Sequence, residues 1–335
     1  MSNDNVKTYT RLITHPIVRT ILQRLALGAV SLFVVSIIIF SAIEFLPGDF
    51  ARSILGQSAT PETVAAFQKE IGLDKAATVR YREWIVGVVQ GDFGLSFASR
   101  SGVQRSVADI IAPRLLNTLF LAGVTAIVAV PLALCLGILA ALYRDSLFDR
   151  GINAATLTAI SFPEFFVAYI LMLFLAVKFP IFHSLANVDA DMGFFESLKR
   201  IALPVLTLTL VIVAHMMRMT RSAIIGLLGS PYVEMAQLKG ASPTEIVLGH
   251  VLPNAWAPIA NVIAFNLAYL VVGIVVVEVV FVYPGIGQAT VDAVRSRDIP
   301  VVQASALIFA STYILLNLMA DIVAVATNPR LLHPK

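Results

Sequence analysis

Long apolar runs broken by short polar stretches dominate the chain. Runs at Leu27–Phe45, Leu115–Leu142, Ile152–Val177, Ile201–Met219, Ala257–Val282 and Val301–Val325 stand out. Each is close to or beyond the roughly 20 residues with which an α-helix crosses a bilayer. The pattern predicts an all-α membrane protein of about six transmembrane helices. Composition agrees. Charged residues are 13% of the chain and hydrophobic residues 58%, whereas soluble domains carry about 25% charged residues. The first run lacks a small-residue cleavage site and is long for a signal-peptide core, so it is expected to stay as the first span.

Basic residues in the short flanks set the expected orientation. Lys7, Arg11, Arg19, Arg24, Arg144, Arg150, Arg218, Arg221, Lys239, Arg330 and Lys335 fall on one side, and only Lys178, Lys199, Arg200, Arg295 and Arg297 on the other. Both termini are therefore expected in the cytoplasm. The resulting organisation is a cytoplasmic or interfacial segment over 1–26, a span over 27–45 and an outward loop over 46–114. A core of five spans over 115–326 follows, with a cytoplasmic loop over 222–256 inside it, and then a tail over 327–335. The N-terminal stretch "RLITHPIVRTILQRL" mixes basic and apolar residues as an interfacial helix does.

The outward loop has its own helix signals. Thr60-Pro61-Glu62 combines a cap, a proline at the first helical position and an acid at the positive dipole end. Gly72 is placed to end that helix. Asp74 is expected to cap a second helix through Gln90, with Tyr81, Trp84, Ile85 and Val88 on one face. Such a loop either packs on the spans as a cap or binds substrate.

The cytoplasmic loop 222–256 carries the densest signals. Ser230-Pro231 reads as a helix start and Gly240 as its stop. Ser242-Pro243-Thr244-Glu245 is a capping box that opens a second helix, which is expected to break near Pro253. The result is a helix–glycine–helix elbow. Its apolar side chains Val233, Met235, Leu238, Ile246 and Val247 need cover, from the protein's own helix ends or from a groove on a partner.

A few polar residues interrupt the spans, and intramembrane acids are functional candidates by default. Glu278 reads as a gating residue, or as an interfacial one paired with Arg295 or Arg297. Asp321 reads as a gating residue, as an interhelical hydrogen-bonding group, or as one that snorkels to the inner boundary. Arg218 and Arg221 suit anchoring at the headgroups, or sensing of the elbow. His215, Asn266 and Asn317 suit hydrogen bonds between helices. Pro131, Pro163 and Pro204 permit kinks. The single cysteine, Cys135, excludes an internal disulfide and reads as a small apolar group. No phosphate-cradling G-x-x-x-x-G-K-[ST], H-E-x-x-H or G-x-S-x-G occurs, so no catalytic or metal-binding set assembles. A net charge of +3 gives no reason to expect nucleic acid.

"E-M-A-x-x-x-G" at Glu234–Gly240, followed by "V-L-P" at Val251–Pro253, resembles the EAA motif of ABC importer permeases. Met235 stands where the motif has alanine. "LPGDF" (46–50), "IGLD" (71–74), "GDFGLSF" (91–97), "EVVFVYPGIGQ" (278–288), "RDIPVVQ" (297–303) and "NPR" (328–330) resemble the dipeptide/oligopeptide/nickel transport family. Glu234 and Pro253 occupy positions where that subfamily often has a basic residue. The resemblance spans nearly the whole chain. It implies a type I importer permease (MetI-like) fold with a structured periplasmic loop between helices 1 and 2. The implied function is that of a bacterial inner-membrane transport subunit that passes di- or oligopeptides by alternating access; relatives carry nickel chelates, glutathione or opines. The implied partners are a homologous second permease, two ATP-binding subunits that hold ATP and Mg, and a periplasmic solute-binding protein. No cofactor or metal is implied in this chain. The implied ATPase-coupling loop comprises Tyr232, Glu234, Met235, Ala236, Gly240, Ser242, Glu245, His250, Leu252, Pro253 and Asn254. A reading from another class is a secondary transporter coupled to protons through Glu278 or Asp321.

Overall fold

The computed structural model describes residues 16–45, 59–70, 72–98, 105–189 and 191–326. The N-terminal residues 1–15, the "LPGDF" motif and the tail with "NPR" lie outside them. The elements, in order, are α1 (Pro16–Glu44), α2 (Pro61–Glu70), α3 (Ala77–Gln90), α4 (Val107–Leu142), α5 (Leu147–Ser161), α6 (Glu164–Met172), α7 (Phe194–Leu228), α8 (Pro231–Leu238), α9 (Pro243–Glu245), α10 (Leu252–Val280), α11 (Ile286–Ser296) and α12 (Ile299–Ala326). Among the described residues the only β pairing is one isolated bridge, Leu95 to Ser106.

Among the described residues, five helical stretches are long and apolar enough to span a membrane, and a sixth span forms if α5 and α6 count as one. That pair covers the expected span Ile152–Val177 and is broken at Pro163, where a kink was permitted. The two halves are bent by 102°. The cause is local: Pro163 pushes the residue before it out of the helical region, and Phe162 is extended at φ −98°, ψ 138°. The chain restarts as α6 directly after the proline and ends in a π-helical turn, Leu173–Lys178.

The chain divides into two compact units. One comprises Met1–Ala29, Leu119–Tyr283 and Thr312–Lys335, the other Val30–Thr118 and Pro284–Ser311. In the first, α7 is the central element. Its residues are buried around most of its circumference, including Ile201, Leu203, Leu208, Ile212, Met216 and Met217, as a helix surrounded by others requires. α5, α6 and α10 pack on it. Gly137 of α4 sits so close to α7 that a Cβ there would stand 2.9 Å from the Met217 carbonyl oxygen.

In the second unit, the C-terminal half of α1 packs against α3. Phe40 meets Tyr81 edge-on at 5.4 Å between ring centroids, and Trp84 lies 6.2 Å from Phe40. The Ser36 and Tyr81 hydroxyls are hydrogen-bonded at 2.8 Å. This packing follows the predicted common face of α3. Gly72 is left-handed at φ 72° and its N–H donates to the Lys69 carbonyl, so it closes α2. Asp74 is not the cap of α3; Ala76 occupies that position without a side-chain bond. A small core of Val107, Ile111, Ile286, Ala293, Val301 and Ala304 holds α4, α11 and α12 together. Beside it, Asp298 accepts from the Ser96 hydroxyl and, at 3.0 Å, from the Phe97 amide.

Candidate functional site

The elbow is built from α8, a glycine turn, α9 and a second π-helical turn, Ile246–Val251, which runs into α10. Pro231 opens α8 at the first helical position. Ser230 precedes it, but its hydroxyl donates to the Leu227 carbonyl instead of capping α8. Gly240 ends the segment at φ 85°, with its N–H on the Gln237 carbonyl at 2.9 Å. The Ser242–Glu245 capping box is complete: the Glu245 amide donates to Ser242 Oγ at 3.3 Å, and the Ser242 amide to Glu245 Oε2 at 3.4 Å.

The expected break near Pro253 does not occur. Proline lacks an N–H and its ring crowds the carbonyl four residues back. The π-helical turn immediately before it widens the coil, and the Leu252 N–H reaches back five residues to the Val247 carbonyl. The helix therefore passes through Pro253 into α10. Asn254 Nδ2 donates to the His250 carbonyl at 2.7 Å, which adds a side-chain bond across the same turn.

The elbow has two faces. Val233, Ala236, Ile246 and Val251 are buried in one apolar cluster with Ala141, Ile224, Ala255 and Ile259. Val247 is buried as well. Fully burying one such side chain contributes about 1.5–3 kcal/mol, so this face seats the elbow on the ends of its own spans. On the opposite face Tyr232, Glu234, Met235, Leu238 and Lys239 are exposed, Met235 at 55% and Leu238 at 77%. The two covers considered from sequence are thus divided between the faces: the chain covers one and leaves the other open. Ser242, Glu245, His250, Pro253 and Asn254 are also exposed, and Leu252 is half-buried.

Just before the elbow, Arg221 makes a two-pronged ion pair with Asp149 of α5, Nε to Oδ1 and Nη2 to Oδ2, both at 2.6 Å. Asp149 also accepts from the Asp145 amide at 3.0 Å and from Asn153 Nδ2 at 2.7 Å. Headgroup anchoring is therefore not the role of Arg221; its partner lies 72 residues upstream, where no sequence spacing points to it. Arg218, one turn earlier, is exposed.

These features fit one known architecture. The sequence signature of the "Binding-protein-dependent transport system inner membrane component" family matches residues 133–333, and that of its N-terminal region matches residues 17–122. The chain belongs to this family. It is an ABC importer permease of the dipeptide/oligopeptide/nickel group, a multi-pass protein of the bacterial inner membrane. The glutathione transport system permease protein GsiC of Salmonella typhi is 38% identical over 310 residues, covering 92% of this chain and 97% of its own length. GsiC of Escherichia coli K12 is 38% identical over 299 residues, covering 89% and 94%. The inward-facing MetNI methionine ABC transporter shares the fold, with a TM-score of 0.55 at 18% identity over 65% of this chain and 96% of that one.

The permease's remaining polar residues are placed as follows. Asp321 of α12 forms an ion pair with Arg24 of α1 at 3.0 Å, so the acid meets a cation on a neighbouring helix. Glu278 is fully buried at the end of α10, not exposed at a boundary. Tyr283 is buried too and its N–H donates to the Glu278 carbonyl at 2.9 Å; burial, reinforced by the Glu278 charge, pushes its phenol pKa up. Asn266 donates to the Val262 carbonyl at 2.8 Å and to Met219 Sδ at 3.7 Å. Asn317 bonds within its own helix, to the Tyr313 carbonyl, not between helices. His215 lies 5.6 Å from Tyr269, centroid to centroid.

Besides Asp149, sequence reasoning passed over Glu164. Glu164 is the first residue of α6, inside the stretch read as the third span, and the Tyr269 hydroxyl hydrogen-bonds to its carboxylate. A charged group at mid-span costs roughly 2.5–3.5 kcal/mol; the signal available was a Pro-Glu pair in an apolar run. Among the described residues no three His, Cys, Asp or Glu side chains are grouped to hold a metal.

Proposed function

We propose that the permease imports peptides, as the transmembrane subunit of an assembly with a second permease, two ATP-binding subunits and a periplasmic binding protein. Both termini face the cytoplasm, which puts the elbow on the side where ATP is hydrolysed. ATP and Mg bind the partner subunits, and this chain needs no cofactor of its own. Closure of the ATPase pair moves the elbow, and the spans rock between inward- and outward-open states. A ligand-driven switch of this kind needs contacts that differ between two states.

The observation that carries this reading is the two-faced elbow. An apolar stripe of Tyr232, Met235 and Leu238 that is left exposed on a short helix suits docking into a partner's groove, while the opposite stripe ties that helix to α7 and α10. Motion applied to the outer face is thereby delivered to the spans. Within peptide cargo, glutathione is the second reading, favoured by 38% identity to glutathione permeases.

The test is the double variant Met235→Asp/Leu238→Asp, expressed with the other subunits. It should insert in the membrane at wild-type level yet lose co-purification of the ATP-binding subunits and peptide uptake. Retention of both at wild-type level would sink the docking role of this face.

A further inference from the structure

Among the described residues, Glu164 is an acid inside a span to which no role has yet been given. It stands directly after the 102° break in the third span. Its carboxylate receives the Tyr269 hydroxyl from near the middle of α10. It also fills the space over Gly273, where a Cβ would lie 2.8 Å from Oε2. The Tyr269 ring lies 5.6 Å from the His215 ring of α7, centroid to centroid and tilted by 52°, and Arg218 follows one turn along the same helix. Three helices thus bring an acid, a phenol, an imidazole and a guanidinium into one line.

The line is not sealed in the core. Tyr269 is exposed, and so are Phe165, Phe166 and Tyr169 beside Glu164. Ionisable groups within spans face a bundle interior or a water-filled cavity, not lipid. Broken helices at membrane depth are tolerated where they line such a cavity. Aromatic faces around a carboxylate add attraction for a cation.

We propose that Glu164, positioned by Tyr269 over Gly273, lines the translocation path and contacts cargo there by taking the ammonium group of a zwitterionic or cationic peptide. Arg218 at the other end of the line suits the opposite charge of a zwitterion. This inference rests on the peptide reading above.

The experiment uses the complete assembly in liposomes, with a free-amine tripeptide as the probe. Glu164→Gln should lower uptake at least tenfold, mainly by raising KM, and Glu164→Asp should recover part of it. Gly273→Ala should reproduce the loss with the charge retained, because the new methyl displaces the carboxylate. In a second arm Cys135 is replaced by alanine and Glu164→Cys is treated with a charged, membrane-impermeant methanethiosulfonate. The thiol should react, and tripeptide should slow the reaction. Uptake by Glu164→Gln within twofold of wild type, an unreactive thiol, or a thiol that peptide fails to protect would each overturn the assignment. A wild-type assembly that takes up no peptide would overturn the cargo reading instead, and the thiol arm would still decide whether position 164 faces water.

Discussion

Asp149 is held from three directions, by the Arg221 fork, the Asp145 amide and the Asn153 amide group. It is 2% exposed. A buried ion pair is modest as a source of net stability, but removing one partner strands the other charge and costs about 3–5 kcal/mol. Arg221→Ala should therefore destabilise the permease strongly, and Arg221→Lys should rescue it only in part because an ammonium has no fork. Thermal unfolding in detergent would show this as a large fall in midpoint for alanine and a smaller one for lysine. Double replacement by apolar residues of similar volume should cost less than Arg221→Ala alone. The sequence displays both residues plainly yet gives no hint of their pairing, because the pair depends on how α5 docks on α7. Gly240 is the opposite case. Its left-handed turn was readable from a glycine placed after a short helix, because that constraint is local.

The elbow makes the same division visible at the level of elements. Its capping box was legible because both bonds join residues three apart. The passage of the helix through Pro253 was not, because a proline reads as a stop and the compensating π-helical turn has no compositional mark. Likewise Pro163 announced a kink, but nothing in the composition announced that it would be as large as the 102° between α5 and α6. The partition of the elbow's apolar residues gives a direct prediction. Val233→Asp puts an unpaired charge into a fully buried position and should detach α8, seen as faster proteolysis within residues 230–240 and lost ATPase co-purification. Leu238→Asp leaves the buried face intact, so its cleavage pattern should match wild type while co-purification falls. Equal protease sensitivity in the two variants would contradict the two-faced arrangement.

For the whole molecule, membrane class and family were legible from apolar run lengths and from separated motifs in order. The bundle's internal arrangement was not. Hydropathy does not tell a helix surrounded by protein from one surrounded by lipid, and α7 is buried on most sides while its sequence looks like any other span. The approach of α4 to α7 depends on Gly137. Gly137→Ala sets a methyl 2.9 Å from the Met217 carbonyl and equally near Thr220 Cβ, and backbone cannot yield as a side-chain tip can. Overpacking of this kind costs typically 1–3 kcal/mol. The variant should show a lowered thermal midpoint and reduced uptake, with its elbow still able to bind ATPase.

The separation between the elbow's seated and open stripes has an evolutionary corollary. On the docking role proposed for the open stripe, substitutions that retune which nucleotide-hydrolysing engine is recognised fall on side chains that the core leaves exposed. Drift along Tyr232, Met235 and Leu238 would then let a lineage exchange engines while the buried gearing behind them stays meshed.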